Sequence, residues 1–159
     1  IDILYAHYNA NPQQARFFTG NNMLMRRVDF EAVGGFSPLF RQAAAEDRNI
    51  CARWLASGRT MIYVPEAQII HRHLLTLRSF WRQHMLYARG AIRFQRSLTV
   101  EELPRRFEVG LHLLILRHML QESVRNPRLA ALLSLTQVAT LYGLLSGLLM
   151  EIWHPGQST

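Results

Sequence analysis

Residues 46–58 read Glu-Asp-Arg-Asn-Ile-Cys-Ala-Arg-Trp-Leu-Ala-Ser-Gly. Two acids open the run, where carboxylates suit the positive end of a helix dipole, and Gly58 closes it. Between them Ile50, Trp54 and Leu55 fall at helical spacing and mark a buried stripe. The stretch predicts a helix that carries Glu46 and Asp47 in its first turn.

Upstream, Phe17 to Thr19 and Met23 to Met25 are short β-like runs separated by Gly20-Asn21-Asn22, residue types that tolerate turn geometry. Asp29 opens a short helix through Val33, and Gly34-Gly35 ends it. Downstream, Thr60 to Val64 reads as a strand closed by Pro65, and Gln68 to His71 as a further extended segment. These alternations place residues 1–75 in an α/β region. From Thr76, a good N-cap, a long helix is expected to about Gln95, followed by an amphipathic helix from Phe107 to Ser123 that ends before Asn126-Pro127. Residues 76–100 are read as an interfacial helix and 101–159 as an apolar helical tail.

The tail holds 22 residues without a formal charge, Leu129 to Met150, long enough to cross a hydrocarbon core. Gly143 and Gly147 form a small-xxx-small pair suited to close helix packing, so an oligomer through these helices is conceivable. Arg105, Arg106, Arg117, Arg125 and Arg128 precede the apolar run and Glu151 follows it. The positive-inside rule then puts the catalytic side at the cytoplasmic face of a membrane, expected to be a bacterial inner membrane.

All 18 basic residues are arginine, against 11 acids, giving a net charge of +7. A basic chain suits phosphate-bearing partners: a nucleotide diphosphate, lipid headgroups or nucleic acid. The missing lysine itself is explained as well by codon bias. The arginines are spread along the chain with no recognition motif, so nucleic acid is excluded as a partner. The lone Cys51 rules out an internal disulfide. The chain opens at Ile1 without an initiator Met or signal-peptide pattern and reads as an excerpt of a longer protein.

Asp47 is the first candidate for chemistry. A carboxylate at a helix N-terminus is held ionised by the local N–H groups, while Glu46 beside it pushes the other way. Such a group can accept a proton from a hydroxyl within hydrogen-bond reach; an ordinary capping acid is the simpler alternative. His71 and His73 are two apart, hence on one face of a strand, and could point at one ion. Two histidines do not make a metal site, and Asp occurs only at positions 2, 29 and 47, so no Asp-x-Asp is present. Gly34-Gly35-Phe36 can let a substrate approach the backbone, or serve only as a helix C-cap with a following Phe.

Taken together, the run Thr19-Gly20-Asn21-Asn22-Met23, Arg26-Arg27, Val33-Gly34-Gly35-Phe36, Glu46-Asp47, Arg53, Gly58, Tyr63-Val64-Pro65-Glu66-Ala67 and His71 resembles inverting glycosyltransferases of family 2 with a GT-A fold. The likeness covers about residues 17–95, and it lies in the order and spacing of the motifs.

The resemblance implies that Asp47, with Glu46 beside it, matches the acid serving as general base for the acceptor hydroxyl. His71 matches a histidine that in several relatives joins an Asp-x-Asp motif around Mg²⁺ or Mn²⁺. Asn21, Asn22, Gly34, Gly35 and Phe36 match loops lining the donor-sugar and acceptor side of a cleft, with Arg48 beside them. Gln83, Tyr87, Arg89 and Gly90 resemble a Gln-Arg element, with Arg89 as a phosphate contact. The processive Gln-x-x-Arg-Trp motif is absent, which argues against polymer synthesis. The nucleotide-binding half with its carboxylates is expected upstream, so this chain alone should be inactive. The implied partners are a nucleotide-sugar donor and a glycan or lipid acceptor. The competing reading is a basic, catalytically inactive membrane scaffold that keeps the fold.

Overall fold

The structure, a computed structural model, describes residues 2–40, 44–70, 72, 74–98 and 109–153. Its helices are α1 (Asp2–Tyr8), α2 (Arg27–Ala32), α3 (Glu46–Ala56), α4 (Leu77–Ser97), α5 (Val109–Arg125) and α6 (Pro127–Trp153), with 3-10 turns at Pro12–Gln14 and Gly20–Asn22. The chain divides into two compact units: Ile1–His73 with Phe94–Arg106, and Leu74–Arg93 with Phe107–Thr159.

The α/β expectation, a GT-A half followed by helices, is overturned: among the described residues there is no strand and no sheet. A strand exists only against a partner that takes up its main-chain groups. Here the β-like runs find isolated substitutes. Ala15 N–H donates to the Met61 carbonyl (3.0 Å) and Tyr63 N–H to the Pro12 carbonyl (2.8 Å), too few to make a ladder. At Phe17 a side chain stands in: buried Asn9 donates through Nδ2 to the Phe17 carbonyl (2.9 Å) and accepts at Oδ1 from the Arg16 and Phe17 amides (3.1 and 3.3 Å). Of the apolar side chains in these runs Phe17 and Met61 are buried, whereas Leu24 and Ile70 are almost fully exposed.

The first unit is organised by α3. Ile50, Cys51 and Ala52 are buried along it, with Ile50 wholly sealed. Cys51 packs with Ala15, Phe17 and Met61, and Trp54 and Leu55 cover this cluster from the rim. The expected stripe is thus present, but its centre is Ile50–Ala52. Trp54 is held half in by its indole N–H, which donates to the Thr60 carbonyl (2.9 Å). On the other side Ala52 meets Phe40 and Phe94.

In the second unit Thr76 caps α4 as its sequence predicts. The Ser79 amide donates to Thr76 Oγ1 (3.2 Å) and the Thr76 amide to Ser79 Oγ (2.8 Å). Asn126 caps α6 by accepting from the Leu129 amide (3.1 Å), with Pro127 at the first helical position, where its missing N–H costs nothing. The two glycines of α6 are used within the chain. A Cβ on Gly143 would lie 2.6 Å from the Met85 carbonyl and 2.7 Å from Ala88 Cβ; on Gly147 it would lie 2.8 Å from Ile92 Cδ1. Small residues are what let α4 and α6 approach this closely. That face of α6 is therefore occupied by α4, and gives no support to an oligomer.

Candidate active site

Asp47 lies in the first turn of α3, half-buried. Its Oδ1 accepts the Arg48 amide (2.7 Å), and the Gly20 amide lies near enough to the carboxylate to favour its charged form. The Gly20–Asn22 turn packs on it: a Cβ at Gly20 would stand 3.8 Å from Asp47 Cβ. Burial raises the carboxyl above the ordinary value of 3.8; Glu46 raises it further, while the Arg48 amide, the Arg48 charge and the Gly20 amide oppose. No ion pair to Asp47 forms among the described residues. The site thus holds a carboxylate of fixed orientation and increased proton affinity, which is what a base for a hydroxyl needs.

The helix start is also strained. Ala45, at the N-cap, has φ 71° and ψ 6°, a left-handed conformation that costs a residue with a Cβ of order 1–2 kcal/mol. Glu46 Oε2 is buried with no hydrogen-bond partner among the described residues. A strained residue and an unsatisfied carboxylate oxygen directly before Asp47 are the kind of local cost that gathers at functional sites. Neither is legible in Ala-Glu-Asp.

The other expected residues distribute as follows. Asn22 donates through Nδ2 to the Ala67 carbonyl (2.9 Å), and Asn21 Oδ1 accepts from the Thr19 hydroxyl (2.7 Å). These bonds hold the turn against Asp47 and tie it to the Pro65–Ala67 region. Arg48 lies over the rings of Tyr8 and Phe17 (5.4 and 5.1 Å) and donates weakly to Tyr8 Oη (3.4 Å). Gly34 and Gly35 have positive φ, 80° and 59°, so both positions require glycine, and Phe36 packs edge-on against Phe30. Arg53 joins this loop to α3. Its guanidinium donates to the Val33 and Gly35 carbonyls, and its Nε to Asn49 Oδ1 (2.9 Å). Sequence reasoning quoted Arg53 only as a motif position; its role as the clamp between the Gly34–Phe36 loop and the Asp47 helix is a finding of the structure. Asn9 and Ala45 were missed altogether.

Arg89 belongs to the second unit, where Nη2 donates to Ser146 Oγ (3.1 Å) and Nε is buried without a hydrogen-bond partner among the described residues. His71 and His73 lie outside the described residues. Among the described residues no three His, Cys, Asp or Glu side chains come together to hold a metal, so they do not by themselves fit the expected ion.

A half-open recess of about 240 Å³ in the first unit is lined by Phe18, Met23, Met25, Trp54 and Met61 among others, and Asp47 is not part of it. Cys51 shares the edge of the recess, but burial pushes that thiol up to about 11, which leaves it an inert core residue.

The model of glycosyl transferase family group 2 matches residues 2–155. The chain belongs to this family. The match takes in α6 as well as α3, so the apolar tail is part of the family pattern and not an unrelated extension. As a family 2 glycosyltransferase, the protein is an enzyme of sugar transfer, with a nucleotide-sugar donor and an acceptor as its partners. No curated protein and no solved structure matches the chain.

Proposed function

We propose that this glycosyltransferase transfers its sugar with inversion, in one displacement, and that Asp47 is the general base. The acceptor hydroxyl gives its proton to Asp47 as its oxygen bonds to the anomeric carbon. The bond from that carbon to the diphosphate oxygen breaks, and the leaving group keeps the electron pair. The observation that supports this most is the state of Asp47: held by the Arg48 amide, without an ion pair among the described residues, and raised in proton affinity by burial. The Gly20–Asn22 turn and the Gly34–Phe36 loop are the segments proposed to face donor and acceptor, with Arg48, over Tyr8 and Phe17, as a further proposed substrate contact. In the intact protein, Asp47→Asn should cut turnover by about 10²–10⁴-fold, and near-normal turnover would remove Asp47 from the mechanism.

The Mg²⁺ or Mn²⁺ expected at the diphosphate would need carboxylates outside this chain's described residues, with His71 as the ligand offered here, and no step is assigned to it. The donor-binding half with those carboxylates is likewise proposed to lie outside this chain.

We further propose that the protein works at a membrane. Pro127–Leu149 is long and apolar enough to span one, and few of its residues are buried. Within the second unit α4 meets the C-terminal half of α6, at Tyr142, Gly143, Ser146 and Gly147. Arg125 and Arg128 stand at the other end of α6. Five arginines, Arg105, Arg106, Arg117, Arg125 and Arg128, precede the span in sequence and the five of α4 belong to its other end, so the positive-inside rule is balanced between the two faces. Retention of the intact protein in membranes after carbonate washing tests this; full release would contradict it.

A further inference from the structure

From Ala67 to Val100 the sequence contains six arginines and no acid. Four of them fall on the second-unit part of α4, at Arg78, Arg82, Arg89 and Arg93. At 100° per residue these positions span only about 60° of the helix circumference, a single stripe. The opposite sector carries Phe80, Tyr87 and Ala91. Arg78 and Arg82 are exposed, Arg89 and Arg93 half-buried, and no acidic partner for any of the four occurs among the described residues. Four like charges in one row repel each other unless an anion lies against them.

The position of the stripe indicates which anion. Arg89 is bonded to Ser146 of α6, and α6 carries its own single arginine at Arg128. These two points are separated by a rise of about 27 Å at 1.5 Å per residue. A bilayer's hydrocarbon core is about 30 Å thick. Arginine thus stands near both ends of the apolar span, a little less than a hydrocarbon core apart, and the long side chains can extend outward to the headgroup layers. We propose that the arginine stripe of α4 docks on anionic phospholipid headgroups of the membrane that receives α6, holding α4 along that surface. The inference rests on the membrane reading above.

The test uses the intact protein in mild detergent, titrated with phosphatidylglycerol, phosphatidylcholine or inorganic phosphate, with retained adducts counted by native mass spectrometry. Phosphatidylglycerol should be retained preferentially and released as salt is raised. The triple variant Arg78→Gln/Arg82→Gln/Arg93→Gln should need about a hundredfold more of it, at roughly fivefold per arginine. Arg89 is left in place because it also joins α4 to α6. The triple lysine variant keeps the charge and should retain most binding, and circular dichroism checks that each variant is folded. If the glutamine variant does not fold, salt-insensitive binding by the wild type is sufficient to overturn the proposal. Equal retention of both lipids, an unchanged triple variant, or equal competition by inorganic phosphate would also overturn it. Carbonate release of the protein would instead overturn the membrane reading, which separates the two failures.

Discussion

Replacing Asp47 by Asn separates chemistry from folding more cleanly than any other single change. The amide keeps an oxygen for the Arg48 N–H, now 2.7 Å from Oδ1, so the start of α3 retains its contact. What it removes is the ability to take a proton. Loss of a general base costs about 10²–10⁴-fold in rate, or about 3–5 kcal/mol of barrier at 1.36 kcal/mol per tenfold. Stability should move the other way. The folded carboxyl is raised above 3.8, so the unfolded chain ionises first. Folding is then favoured below that value and progressively opposed as pH rises through the folded one, so at neutral pH the charge works against the fold. The neutral amide is relieved of that cost. The expected result is a melting temperature unchanged or higher, donor binding within about threefold, and kcat reduced by at least 10². Turnover within threefold of wild type would refute the reasoning. So would a clear loss of stability at neutral pH, since it would make Asp47 a structural cap and nothing more.

The product's anomeric proton, followed by NMR before mutarotation, should show the configuration opposite to the donor's; retention would exclude a single displacement. Gly143→Ala should destabilise the intact protein more than Gly147→Ala, by about 1–3 kcal/mol, because its methyl meets a backbone carbonyl at 2.6 Å rather than the movable end of Ile92. Detergent thermal melts of the two variants check the order, and equal effects would contradict the α4–α6 contact. Arg53→Lys should lower melting temperature and raise KM for the acceptor, since an ammonium cannot hold the Val33 and Gly35 carbonyls together with Asn49. Cys51 should react with maleimide at neutral pH only on unfolding, because its thiol is buried and raised to about 11.

The helical signals were legible because they are local. Acids before and glycine after residues 46–58, Thr76 as a cap, and Asn126-Pro127 as a break each act within one turn, and α3, α4 and α6 begin where those residues direct. The β-like runs misled because alternation records only that a segment is extended and half-buried. Whether Thr60 to Val64 becomes a strand depends on a neighbour elsewhere, and among the described residues its main-chain partners are Pro12 and Ala15, while Phe17 is taken up by the side chain of Asn9. At the site, the placement of Asp47 at a helix head was readable. The left-handed Ala45, the buried Glu46 oxygen and the Arg53 clamp were not, since they arise from loops meeting across about 20 residues of sequence. The glycine pair of α6 was read correctly as a packing face, but its partner, α4, is known only from the folded chain.

The pH dependence of kcat, measured side by side for the wild type and for the residual activity of Asp47→Asn, bears most directly on the proton transfer. A base that must be ionised gives a rate that falls as pH drops, here with a midpoint shifted upward from the ordinary aspartate value because burial raises Asp47. The account predicts that this acid limb is present in the wild type and absent from the variant. The same limb in both enzymes would show that another group takes the proton.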